Sequence, residues 1–218
     1  MPVLGYIVLV LCAYLLGSIP TGYLVARARG IDIRTVGSGN IGATNAFRVL
    51  GKPAGAFVLI MDGLKGYAAC IWLTDFLMRA FDVQLEHPIT ERAFAGFAAI
   101  LGHSFTCWLR FKGGKGIATS AGVYFAVAWL PVAISLGLWI VFFFATRFVS
   151  VASIVAAVAL PAGVWATFGN HKSVALGIAT TALGAMVVWK HKGNIARLKA
   201  GTESRISFGK KSAEGIKP

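Results

Sequence analysis

Charge is what this chain has least of. Only 13% of its 218 residues are Asp, Glu, Lys or Arg, and just eight are acidic. A soluble domain is about a quarter charged and about half apolar, whereas 57% of this chain is apolar. The imbalance argues against an ordinary soluble core and for a bilayer. Cysteine is scarce as well. Cys12, Cys70 and Cys107 are odd in number, lie in apolar runs and form no C-x-x-C pair, so neither a disulfide framework nor a thiolate metal site is read from them. A P-loop is excluded, because G-x-x-x-x-G-K-[ST] occurs nowhere. No His/Asp/Glu cluster has ligand spacing, so no metal and no cofactor is expected.

What the chain has in quantity is uninterrupted apolar sequence. Residues 2–26 carry no charge and lack the basic start and short apolar core of a signal peptide, so they read as a retained helix. Further spans are expected at 53–78, 93–109, 149–168 and 173–189. The run 117–146 is too long for one helix, and Pro131 offers a break that would give two short helices back to back. The expectation is an all-α polytopic membrane protein of seven spans. One membrane-embedded domain would cover 1–205, and the polar, non-periodic stretch 206–218 would be a disordered tail.

The net charge of +13 suits nucleic acid, an anionic membrane face or an anionic substrate until the charges are placed. With seven spans, all but four of the 21 basic residues fall on one side; Arg79, Arg92 and Lys172 lie opposite and Lys65 lies within a span. Asp82, Glu86 and Glu91 join the opposite side. The positive-inside rule then places the N-terminus outside and the C-terminus in the cytoplasm. The basic balance is topological, and nucleic-acid binding is not expected.

Three segments on the basic side share a composition. The first, 31–52, is dense in Gly, Ser, Thr and Asn between Arg34 and Arg48. Its GSGNIG matches G-x-G-x-x-G without the βαβ context of a dinucleotide site. Gly37 and Gly39, with Ser38, Asn40 and Asn45 beside them, would still let backbone amides approach an anion, although a flexible polar loop reads equally simply. The second, 102–122, sets Lys112 and Lys115 among Gly113, Gly114 and Gly116, with Thr119 opening the next helix. Plain topological anchors or an anion cradle both fit that pattern. The third, 189–206, alternates Lys and Arg with Ile195 and Leu198, as an interfacial helix does, and spaces His191 and Asn194 on one face. Within the spans, Asp62 and Lys65 sit i, i+3 and read as a structural ion pair, since each unpaired charge would cost ~2.5–3.5 kcal/mol. His103 and Ser153 lie near the basic ends of their spans and could face the same cleft.

These segments, GSGNIGATNAFRVLGK, GHSFTCWLRFKGGKGIATSAG and KHKGNIARLKAGTE, resemble the three signatures of the bacterial acyl-phosphate:glycerol-3-phosphate 1-acyltransferases of the PlsY type. LLGSIPTGYLVAR, DGLKG and RFVSVASI are similar as well, and the likeness runs in order from about residue 11 to about 206. It implies a seven-helix enzyme of the bacterial inner membrane with its site at the cytoplasmic surface. The enzyme would move a fatty acyl group from acyl phosphate to the 1-hydroxyl of sn-glycerol 3-phosphate, giving lysophosphatidic acid and phosphate for phospholipid synthesis. Membrane lipids would surround it, and a functional link to the enzyme that makes acyl phosphate from acyl carrier protein would follow.

Carried over by position, the resemblance gives Ser38, Arg48, Lys115, His191 and Asn194 catalytic roles. Gly113 and Gly114 join Lys115 in binding phosphate, Ser153 joins the site, and Glu203 is structural. The reaction needs no enzyme nucleophile, because an acyl phosphate already carries a good leaving group. It needs two phosphates brought together and their charge offset. None of His87, His103, His171 or His191 has Asp five residues on, which excludes the His-x-x-x-x-Asp acyltransferases that use His as base. The proton acceptor is expected to be a substrate phosphate oxygen, with His191 as the competing assignment. The alternative from another class is a transporter or channel for an anionic solute.

Overall fold

A chain with this much apolar sequence has to satisfy its backbone inside itself, and among the described residues its regular structure is helical throughout. The computed structural model describes residues 2–169 and 173–206. Helix α1 (Pro2–Ser18) bends at Ile19–Pro20 into α2 (Thr21–Arg27). After an irregular stretch come α3 (Ala43–Leu50) and α4 (Lys52–Ala68), which continues through a π-helical turn at Ala69–Leu73 into α5 (Thr74–Ala80). The remaining helices are α6 (Pro88–Ser104), α7 (Ile117–Val127), α8 (Trp129–Thr146), α9 (Val149–Phe168), α10 (Val174–Lys190) and α11 (Lys192–Lys199).

Four of these stretches are long and apolar enough to cross a membrane: Pro2–Arg27, Lys52–Ala80, Trp129–Thr146 and Val149–Phe168. The pair α10–α11, bent by 50°, makes a fifth if it counts as one span. With 11 residues, α7 is only about 16 Å long, roughly half the hydrocarbon thickness. Many large apolar side chains point outward, among them Phe57, Trp72, Phe76, Val141 and Phe144. This is the surface of an integral membrane protein, whose solvent is lipid.

Two expected boundaries move. The break in 117–146 falls at Ala128, where φ is −154° and ψ 65°, and not at Pro131. Pro131 is the third residue of α8, in the first turn, where a missing N–H costs nothing and the fixed φ suits the helix. The span expected at 93–109 ends at Ser104. Phe105 leaves helical geometry, and 105–116 runs through a 3₁₀ turn (Cys107–Leu109) and two left-handed residues, Arg110 and Phe111. The expected tail lies outside the described residues from 207 on, as do His171 and Lys172.

Small residues set how closely the helices cross. A Cβ on Gly122 of α7 would run into the Gly63 carbonyl of α4, and one on Gly17 of α1 would run into Ala99 of α6. Such contacts draw backbones together in lipid, where no hydrophobic force separates helix from solvent. One buried cluster joins Ile100, Val123, Tyr124, Val132 and Val164 across α6–α9. Another ties α1 to α5 and α6 through Leu9, Ala13 and Met78. The third, including Ile33, Ile41, Ala46 and Val58, lies under the irregular stretch after α2 and anchors it.

Candidate active site

The irregular stretch 31–42 is shaped by one side chain. Asn45, in the first turn of α3 and 1% exposed, accepts from the Ser38 amide (2.9 Å) and donates to the carbonyls of Ile33 (3.2 Å) and Val36 (3.0 Å). Gly37 has φ +63°, and a Cβ there would collide with the Asn45 carboxamide, so only glycine lets the loop close. Asn40 caps the next turn by accepting from the Gly42 amide (2.9 Å). The loop thereby presents Ser38, and α3 presents Arg48, to a cavity at one end of the bundle.

The same cavity receives the other two polar segments. Lys115 and Gly116 line it from the FKGGKG turn, Ser150 and Ser153 from α9, and His191, Asn194 and Glu203 from the third segment. A chain of short hydrogen bonds crosses it: Lys115 Nζ donates to Asn194 Oδ1 (2.6 Å), and Asn194 Nδ2 donates to Glu203 Oε1 (2.7 Å). That oxygen also accepts from the Ser150 hydroxyl (2.8 Å), and Arg197 Nε reaches Oε2 (2.7 Å). Glu203 therefore orients the carboxamide, and the carboxamide orients the lysine. Ser153 accepts from the Trp139 indole (3.2 Å), while Arg48 reaches the Ser204 carbonyl at 3.4 Å.

Electrostatics follow from burial. Desolvation brings Lys115 down to about 8, helped by the cations of Arg197 and Arg48 and opposed by Glu203. His191, 2% exposed, falls to about 4 through burial and the Lys115 charge, against the pull of the Val187 carbonyl and Glu203. Burial works to raise the Glu203 carboxyl, but the donors Asn194, Ser150 and Arg197 outweigh it and hold it below its ordinary value. At neutral pH the site thus presents a cationic Lys115 beside a neutral imidazole. His191 Nδ1 lies 2.8 Å from the Val187 carbonyl, which can only accept, so Nδ1 carries the proton and Nε2 keeps its lone pair.

Several residues expected at the site stand elsewhere. Gly37, Gly39, Lys112, Gly113, Gly114 and Thr119 do not line the cavity. Lys112 is exposed. The Gly113 and Gly114 amides donate to the Ser104 and His103 carbonyls, so they are not free to hold an anion. Their lack of side chains serves packing instead, for a Cβ on Gly114 would meet the His103 ring. Thr119 is buried against α4, where its carbonyl faces Gly66. Conversely, Asp62 lines the cavity while pairing with Lys65 (2.8 Å) and lying 3.5 Å from His103 Nδ1. Lys65 also donates to the Ile19 carbonyl (3.0 Å) at the α1–α2 bend. Ser150 and Trp139 escaped sequence reasoning. Ser150 stands i, i+3 from Ser153, a spacing that would have found it; no sequence pattern marks Trp139.

Fold and site together define a helical integral membrane protein with a polar, cation-bearing cavity at one end of its bundle. Comparison with known proteins supplies the rest. Residues 7–201 match the family model described as glycerol-3-phosphate acyltransferase. The glycerol-3-phosphate acyltransferase of Geotalea daltonii is 46% identical over 91% of this chain and 96% of its own. That of Geobacter sulfurreducens is 43% identical over 93% and 98%. The fold superposes on the crystal structure of an integral membrane glycerol 3-phosphate acyltransferase in its glycerol 3-phosphate form. The TM-score is 0.82 and the identity 37%, over 93% of this chain and 96% of that one. A lysophosphatidic acid form of the same enzyme gives 0.78 and 36%. The chain belongs to the glycerol-3-phosphate acyltransferase family.

Proposed function

We propose that this enzyme transfers a fatty acyl group from acyl phosphate to the 1-hydroxyl of sn-glycerol 3-phosphate, releasing lysophosphatidic acid and inorganic phosphate. The observation that carries the reading is the cavity itself. It gathers Ser38, Arg48, Lys115, His191 and Asn194 from three separate segments at the end of an apolar bundle. The crystal structures of the similar enzyme, in glycerol 3-phosphate and lysophosphatidic acid forms, support both acceptor and product.

Lys115 and Arg48 offset the charge of two phosphates, and the hydroxyls of Ser38 and Ser153 offer further hydrogen bonds. The acceptor oxygen attacks the acyl carbonyl carbon, the bond from that carbon to the phosphate oxygen breaks, and phosphate leaves with the electron pair. The hydroxyl proton passes to a phosphate oxygen. A phosphate monoester has its second pKa near 6, whereas His191 is pushed down to about 4, so the phosphate is the stronger base of the two. His191 Nε2, which keeps its lone pair, instead accepts from the acceptor's 2-hydroxyl and holds the polyol in place, leaving the 1-hydroxyl proton to the phosphate.

The topology belongs to the same reading. Seven crossings, N-terminus outside and C-terminus cytoplasmic, put the cavity at the inner face of the bacterial membrane, where a soluble polyol phosphate meets an embedded tail. On this reading α6 makes the sixth crossing, and α7, at roughly half the hydrocarbon thickness, completes the seventh only by handing the chain to α8 within the bilayer.

One experiment tests donor and proton step together. Purified wild type and His191→Gln are assayed from pH 5 to 8, with acyl phosphate, acyl-CoA and acyl carrier protein thioester side by side. Transfer from acyl phosphate alone is expected, with an acid limb near 6 that His191→Gln leaves in place while lowering the rate. Preference for a thioester overturns the donor, and loss of the limb in the variant makes His191 the base.

A further inference from the structure

A second cavity, almost wholly apolar, opens from the first. The two share Ile117, Ala121, Leu136 and Trp139 as a common wall. On each of the helices beside both, the lining turns from polar to apolar with distance from the polar site, whichever way the chain runs. Along α9 the lining passes from Ser150 and Ser153 in the polar cavity to Ala157 and Leu160 in the apolar one. Along α10 it passes from His191, past Val187 and Gly184, to Thr180. On α7 it goes from Ile117 to Tyr124, and on α8 from Trp139 back to Val132. One continuous slot therefore leads from the polar site into the bundle.

The slot has a floor. Tyr124 is 0% exposed, Thr180 1% and Val132 4%, and these three line its far end. The Tyr124 hydroxyl donates to Thr180 Oγ1 (2.6 Å), which donates to the Leu176 carbonyl (2.6 Å), while the Tyr124 ring packs on Phe97. Both hydroxyls are satisfied within the protein, and the floor is pinned to α10.

We infer that this slot holds the acyl chain of the donor and that the Tyr124–Thr180 floor, with Val132, gauges its length; the inference rests on the acyl transfer proposed above. The occupant is settled by continuity with the polar site, since the acyl carbonyl must lie in the first cavity and its tail can leave along the apolar wall. The helical rise puts the floor about 10 Å beyond Ile117 and about 16 Å from His191. An extended alkyl chain advances about 1.25 Å per carbon, so roughly a dozen carbons fit straight. Discrimination comes from shape, because a tail in lipid is already out of water and gains little by further apolar burial. A chain that overruns the floor has to bend out past half-exposed Leu136.

The test compares kcat/KM for dodecanoyl and octadecanoyl phosphate with glycerol 3-phosphate as acceptor. Tyr124→Leu, which lowers the floor, is expected to raise the ratio of long to medium chain about tenfold, and Ala156→Leu, which fills the slot midway, to lower it by a similar factor. Should Tyr124→Leu fail to fold, Val132→Ala lowers the same floor. A ratio unchanged in Ala156→Leu and in the folded floor variant overturns the gauge and leaves acyl transfer standing. A wild type that transfers neither chain overturns the functional reading and the gauge with it. A merely structural Tyr124 would change both substrates alike.

Discussion

Lys115 has to keep its charge in a place water has mostly left. Burial lowers its pKa to about 8 in the free protein, so the cation proposed to bind phosphate begins to disappear just above physiological pH. Since kcat/KM reports the free enzyme, its value for glycerol 3-phosphate should fall above about pH 8. Lys115→Arg, whose guanidinium never deprotonates in this range, should lack that alkaline limb even where its absolute rate is lower. A limb at the same pH in the arginine variant would assign it to another group. His191 shows the complementary use of burial: the same desolvation and the same lysine keep its ring neutral and its Nε2 free to accept.

At the scale of the element, the third polar segment is a strap. It leaves α10 at His191 and turns through α11. From there it crosses to α9 by Glu203–Ser150 (2.8 Å) and to the residue before α9's loop by the Ile206 amide on the Arg147 carbonyl (2.9 Å). Glu203 is the rivet, so Glu203→Gln should cost about 2 kcal/mol through lost charge-assisted hydrogen bonds. Thermal unfolding in detergent measures this. Its pH dependence has a definite sign. Because the folded carboxyl titrates below its ordinary value, its contribution is full above that value and lost as pH falls through the folded pKa. Wild type should therefore lose stability toward acid more steeply than Glu203→Gln. The α4 element carries a comparable arrangement: Asp62 answers Lys65 at 2.8 Å and faces His103, whose ring in turn leaves room only for glycine at 114.

For the whole molecule, the deciding matter is which loops share a side. Single cysteines at positions 82 and 192, in a background lacking Cys12, Cys70 and Cys107, report it through a membrane-impermeant thiol reagent. Position 192 should label only from the cytoplasmic face, and position 82 only from the other. Labelling of both from one face would remove the seven-crossing topology, and with it the placement of the cavity at the inner surface.

Much of this was legible in the chain. Apolar runs located the four spans that length and composition support, and the bent pair that makes a fifth, because lipid demands them, and the i, i+3 spacing of Asp62 and Lys65 announced their pairing. The five residues proposed as catalytic were picked out by likeness, and the structure brings them into one cavity. Glycine was where reading by composition misled. A glycine beside a lysine looks like an anion cradle, yet Gly113 and Gly114 spend their amides on the α6 carbonyls and their absent side chains on close packing. Pro131 misled similarly, since its place in a first turn depends on where the preceding helix stops.

The sequence by itself determined that this protein lives in a bilayer, is helical and carries cationic, glycine-rich segments, because hydropathy and local backbone preference are properties of neighbouring residues. Only the tertiary structure decided which donors remain free, that Glu203 steers Lys115 through Asn194, and that an apolar slot with a hydrogen-bonded floor adjoins the polar site. Each of those depends on groups far apart in the chain meeting at hydrogen-bond distance, and no local pattern encodes such a meeting.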